Sequence, residues 1–99
     1  ALEREAILLV ERMYMLSSKV ENTKVIDSLA RERFSIDAQR YVSQNISFTD
    51  FSIAQQEKDL AQSAYISSLE EYWLTFYRLR ELTLFDFEHH RSLVDSISL

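Results

Sequence analysis

The chain has 99 residues, no glycine, no proline, no cysteine, a formal net charge of −5 and a pI near 4.9. Without cysteine it has no disulfides, thiolate metal sites or cysteine nucleophiles, and without glycine it has no phosphate-cradling loop. Turn-rich β and α/β architectures are disfavoured as well, because their tight turns draw on the positive φ of glycine or the fixed φ of proline.

No basic stripe stands out, so nucleic acid is not an expected partner. The longest apolar run, Ala6–Val10, is five residues, far short of the roughly 18 that a membrane-spanning helix requires. The opening Ala1-Leu2-Glu3-Arg4-Glu5 is not a signal peptide. If the parent protein is exported, its signal has been removed or lies outside this sequence.

The first element is a helix from about Leu2 to residue 44. Leu9, Met13, Leu16 and Val20 are spaced 4, 3, 4, which is a heptad seam. The seam then slips to Val25, Ile26, Leu29, Ala30, Phe34, Ala38 and Tyr41, and such a slip changes the supercoil locally. Asp27 and Arg31 stand at a favourable i,i+4 spacing.

Residues 40–51, Arg40-Tyr41-Val42-Ser43-Gln44-Asn45-Ile46-Ser47-Phe48-Thr49-Asp50-Phe51, carry the turn signals. Asn45 tolerates a left-handed backbone and is placed to end the first helix. Ser47, Thr49 and Asp50 are all capable N-caps.

The second helix starts near Thr49 or Asp50 and runs to about residue 81. Phe51, Ala54, Ala61, Tyr65, Tyr72, Phe76 and Leu79 trace one stripe, with Lys58 and Ser68 in the heptad positions that interrupt it. A second stripe follows Ile53, Leu60, Ile66, Leu69, Trp73 and Phe76. Small residues in the first half allow close helix approach near the turn, and aromatics fill the second half. From Leu82 to Phe87 apolar and polar residues alternate, which fits a short strand or extended segment, and residues 88–99 read as a C-terminal tail.

The expected fold is therefore all-α: a long antiparallel, coiled-coil-like hairpin over residues 1–87, with helices at about 2–44 and 49–81 and an irregular tail. A two-helix hairpin buries one stripe per helix, and this chain has more than one. Each large apolar side chain left in water forfeits about 1.5–3 kcal/mol. The hairpin should assemble into a helical bundle or α-barrel, with copies of itself or with further parts of its parent chain.

Catalysis finds no foothold. His89 and His90 are adjacent, so on a helix they diverge by about 100° and chelate poorly. Glu70-Glu71 reads as a solvated face rather than an acid–base pair, and no serine has a histidine base at recognisable spacing. No cofactor, metal site or enzymatic activity is expected.

The turn and the helix after it resemble the TolC family of outer-membrane efflux proteins. In that family the tip carries an arginine–tyrosine pair, two residues, glycine, a short run and aspartate, then a helix opening with alanine–glutamine. Here Arg40-Tyr41, Asp50 and Ala54-Gln55 hold those places. Ala64-Tyr65-Ile66-Ser67-Ser68-Leu69-Glu70-Glu71-Tyr72-Trp73 and Arg78-Leu79-Arg80-Glu81-Leu82-Thr83-Leu84-Phe85-Asp86-Phe87 are similar to the body and close of the family's final long helix. Two departures stand at the tip: Gln44 occupies the glycine's place, and Ile46 that of an arginine found in some members.

The resemblance implies a C-terminal periplasmic hairpin of a larger protein. That protein would be a trimer in the outer membrane whose helices form a passive export tunnel. It implies a periplasmic adaptor protein and an inner-membrane pump as partners. Tyr41, Gln44, Asn45, Ile46, Ser47 and Asp50 would lie at the adaptor-facing mouth. The alternative from a different class is a self-associating coiled-coil module for protein–protein interaction.

Overall fold

A computed structural model describes residues 2–97, and the side chains of residues 2–84. It contains two helices, α1 (Leu2–Val42) and α2 (Phe48–Ile97), packed antiparallel as a hairpin of 82 × 18 × 15 Å. With neither glycine nor proline, nothing in either run interrupts the i→i−4 ladder. At 1.5 Å per residue α1 is about 60 Å long. Glu3 and Glu5 sit in its first turn and Arg40 in its last, each sign opposing the local end of the helix dipole.

The seam between the helices is a strict heptad from end to end. On α1 the inward residues are Leu9, Met13, Leu16, Val20, Thr23, Asp27, Ala30, Phe34, Asp37 and Tyr41, alternating by 4 and 3. The slip expected after Val20 does not occur. Thr23 and Asp27 hold the register as polar members of the seam, while Val25, Ile26 and Leu29 point to solvent. On α2 the inward residues are Phe51, Ala54, Lys58, Ala61, Tyr65, Ser68, Tyr72, Thr75, Leu79 and Leu82. Lys58 and Ser68 thus belong to the seam rather than breaking it.

From Ala54 to Thr75 every second inward residue of α2 is small: Ala54, Ala61, Ser68 and Thr75, all buried. Small side chains at one heptad row bring the two backbones close, and the bulkier row between them fills the remaining space. Ser68 is fully buried, and its Oγ lies 2.7 Å from Thr23 Oγ1. Lys58 is accommodated by placing its ammonium 4.2 Å from the centre of the Phe34 ring. Asp27, 2 % exposed, pairs through Oδ2 with Arg31, as their spacing suggested.

Two boundaries differ from expectation. The first turn of α2 begins at Phe48, capped by Ser47. The irregular tail after residue 81 is helical, since α2 continues to Ile97. Leu82 falls on the seam, three residues after Leu79, so the Leu82–Phe87 alternation is a helix read at the wrong period. The side chains of His89 and His90 lie outside the described residues.

Candidate functional site

The tip is built by matched stop and start signals. α1 closes in a Schellman motif, with the Asn45 N–H donating to Arg40 O at 2.8 Å and the Gln44 N–H to Tyr41 O at 3.0 Å. The residue that turns left-handed is Gln44, with φ 62°. This corrects the assignment to Asn45: the hydrogen-bond pattern requires positive φ one residue earlier, so position overrides residue preference. Ser47 then caps α2, its Oγ accepting from the Asp50 N–H at 3.1 Å, while Ser47 O accepts from Phe51 N–H at 3.1 Å.

An aromatic cluster ties the two helix ends together. Tyr41 stacks on Phe51 with centroids 4.9 Å apart and approaches Phe48 at 6.1 Å, and Phe34 meets Phe51 at 5.4 Å. Of the six expected tip residues, Gln44, Asn45, Ser47 and Asp50 are exposed backbone-shaping residues, Ile46 is half-buried, and Tyr41 is a seam residue at the rim. Two residues not singled out from the sequence are the most outward apolar groups there: Val42, 81 % exposed, and Phe48, 67 % exposed. Their signal was available, since each sits next to a seam residue or a cap and so cannot face inward.

Away from the tip, the hairpin has two distinct flanks. The first carries the ion pairs that bridge the helices, Lys19–Glu71 at 3.3 Å and Arg33–Glu57 at 2.9 Å. These pairs set the register: residue numbers facing each other sum to about 90. Shallow grooves along this flank are lined by Ile26, Leu29, Arg33 and Glu57, and further down by Leu9, Arg12, Leu74 and Arg78. Outside the charges stand exposed Met15, Leu29 and Ile36 on α1 and Ile53, Leu60 and Leu74 on α2.

The α1 row on this flank, seven residues apart, is Arg12, Lys19, Ile26, Arg33 and Arg40, basic at every position but Ile26. This is a largely basic stripe that the balanced mixture of charges along α1 conceals. The facing α2 row carries Asp50, Glu57 and Glu71, then Arg78. The same register sets Arg12 against Arg78, a like-charged layer in an otherwise complementary ladder.

The opposite flank is aromatic and confined to the half of the hairpin away from the tip. Val10, Met13, Tyr14, Tyr72 and Phe76 line its groove. Trp73 stands edge-on to Tyr72 at 5.6 Å and to Phe76 at 5.5 Å, and Ile7, Ile66 and Trp73 are exposed around it.

Among the described residues, no three His, Cys, Asp or Glu side chains converge on one point, and no helix is long and apolar enough to cross a membrane. Nineteen large apolar side chains are exposed among the described residues, against three apolar residues that are buried. Much of the exposed apolar surface among the described residues lies at the tip and on the two flanks. No protein-family model, curated protein or solved structure matches the chain.

Proposed function

We propose that this hairpin is a wall element of a larger helical assembly, with apolar neighbours on both sides. The specific assembly proposed is the periplasmic tunnel of a TolC-type outer-membrane efflux channel. The observation that carries the reading is the exposure of apolar side chains on both flanks of one seam. A hairpin that only dimerised through one flank would leave the other in water, at about 1.5–3 kcal/mol per large side chain. A hairpin in a wall covers both.

The tip adds support. Position 44, where the resembled family carries glycine, has the positive φ that glycine favours. In this reading the helices form a passive duct and carry out no covalent step. Val42, Phe48 and Tyr41 at the tip meet a periplasmic adaptor, which an inner-membrane pump drives.

The test uses the absence of native cysteine in this chain. Asn45→Cys, introduced into the protein expressed from its whole reading frame, carries a short crosslinker. Recovery of a membrane-anchored periplasmic adaptor at this position is the expected result. Recovery of cytoplasmic proteins alone overturns the channel reading in favour of a self-associating interaction module.

A further inference from the structure

The first flank has a property that the channel reading does not require: its two charged rows are complementary to each other at every charged layer except that of Arg12 and Arg78. α1 presents Arg12, Lys19, Arg33 and Arg40, and α2 presents Asp50, Glu57 and Glu71 with Arg78. Lys19 and Arg33 are each more than half exposed even while paired with Glu71 and Glu57, so both guanidinium and ammonium retain free hydrogen-bonding capacity on that face.

We infer that this flank binds a second copy of the same chain, related by a two-fold axis along the hairpin, with both tips at the same end. That axis sets α1 of one copy against α2 of the other at equal height. Lys19 then meets Glu71 of the second copy, Arg33 meets Glu57, and Arg40 meets Asp50. The apolar rows outside them fall into register too: Leu29 opposite Leu60, Met15 opposite Leu74, and Ile36 opposite Ile53. The other face-to-face arrangement, with tips at opposite ends, sets α1 against α1 and drives the cationic row against itself.

Area is sufficient for such a contact. Leu29 is 59 % exposed and Leu60 71 %, and the other four are between about half and three-quarters exposed. These six offer on the order of 700 Å², close to the roughly 800 Å² each partner contributes to a stable specific interface. The apolar rows supply the driving force, and the charged rows choose the orientation, because ion pairs removed from water select partners more than they add affinity. The aromatic flank remains outside this pair. The inference stands on the charged rows and does not depend on the tunnel reading.

The experiment is sedimentation equilibrium on the 99-residue chain, followed by mixed disulfide trapping. The expected result is a dimer at concentrations of roughly 10 μM. Leu29→Ser with Leu60→Ser weakens association at least about a hundred-fold, with unchanged helical circular dichroism because both residues are exposed. Arg33→Glu weakens it as well, and Arg33→Glu with Glu57→Arg restores it. Under mild oxidation a mixture of Leu29→Cys and Leu60→Cys chains gives a covalent heterodimer, while neither alone does. A wild-type chain that sediments as a monomer overturns the inference. So does a dimer that survives the double serine variant, or trapping of Leu29→Cys chains with themselves.

Discussion

The hydroxyls of Thr23 and Ser68 meet 2.7 Å apart in the middle of the seam, between Val20 and Asp27 on α1 and Tyr65 and Tyr72 on α2. Each hydroxyl has one proton. Thr23 Oγ1 also lies 2.8 Å from Lys19 O, and Ser68 Oγ 2.8 Å from Tyr65 O. One of the two therefore donates to its own helix while the other donates across the seam. Ser68→Ala removes the crossing bond but leaves Thr23 its partner on Lys19, so the loss is about 1 kcal/mol. Ser68→Leu forces a large side chain into a fully buried position on the close-approach row and costs about 2–3 kcal/mol or more. Urea denaturation of the two variants should rank them in this order. Equal losses would mean that the row is not closely packed.

Gln44 holds φ at 62°, where a residue with a Cβ is strained and glycine is not. Gln44→Gly should raise stability by about 0.5–1 kcal/mol, because relief of the left-handed conformation outweighs the added freedom of the unfolded chain. Asn45→Gly removes no such strain and should be neutral or slightly destabilising. Thermal melts of both variants decide between the two residues. A gain at position 45 in place of 44 would move the turn by one residue.

The turn was legible in the sequence; the residue that makes it was not. Ser47 as a cap and the reversal near residues 44–47 follow from local side-chain chemistry. The left-handed residue follows from which carbonyls must be closed off, which is a property of the helix end rather than of Asn or Gln. The seam shows the same division. Leu9, Met13, Leu16 and Val20 reveal it because they are apolar, whereas Thr23, Asp27 and Asp37 continue it without that signal. A search for apolar residues then jumps to Val25, Ile26 and Leu29, of which Ile26 and Leu29 line the first flank. The paired charges on that flank were hidden for a related reason: their complementarity exists only once the register is known.

Arg12 and Arg78 share the layer below Lys19 and Glu71, and among the described residues neither forms an ion pair across the seam. Arg78→Glu places opposite charges there and extends the ladder. The expected gain is about 0.5 kcal/mol at low ionic strength, as both positions are exposed, and it should fade as salt rises through the physiological range. Arg78→Gln should give a smaller gain that varies less with salt. Melts at low and high salt separate the two, and a salt-independent gain in Arg78→Glu would trace to helix propensity rather than to pairing.

Asp27 is the most exposed to challenge of the seam residues, because its stabilising and destabilising contributions are both visible. Oδ2 is paired with Arg31, but Oδ1 is buried with no hydrogen-bond partner. A buried polar atom left unpaired costs about 1–3 kcal/mol, and more when it carries charge. Arg31 is 61 % exposed, so its guanidinium returns to water if the carboxylate is removed, and no buried charge is stranded. The register of Phe34 on Lys58 and Tyr41 on Phe51 sets the half-buried Tyr65 opposite Asp27, so the change to a methyl group removes a small carboxylate beside a large ring. Asp27→Ala should therefore stabilise the hairpin by about 1 kcal/mol, to which the better helix propensity of alanine adds about half as much again. Asp27→Asn, which keeps the shape and still buries an unpaired polar atom, should gain less. Denaturation midpoints of the two variants compare these contributions directly. A loss of stability in Asp27→Ala would mean that Oδ1 has a partner in solution, such as a bound water, and that the polar centre of the seam is satisfied rather than strained.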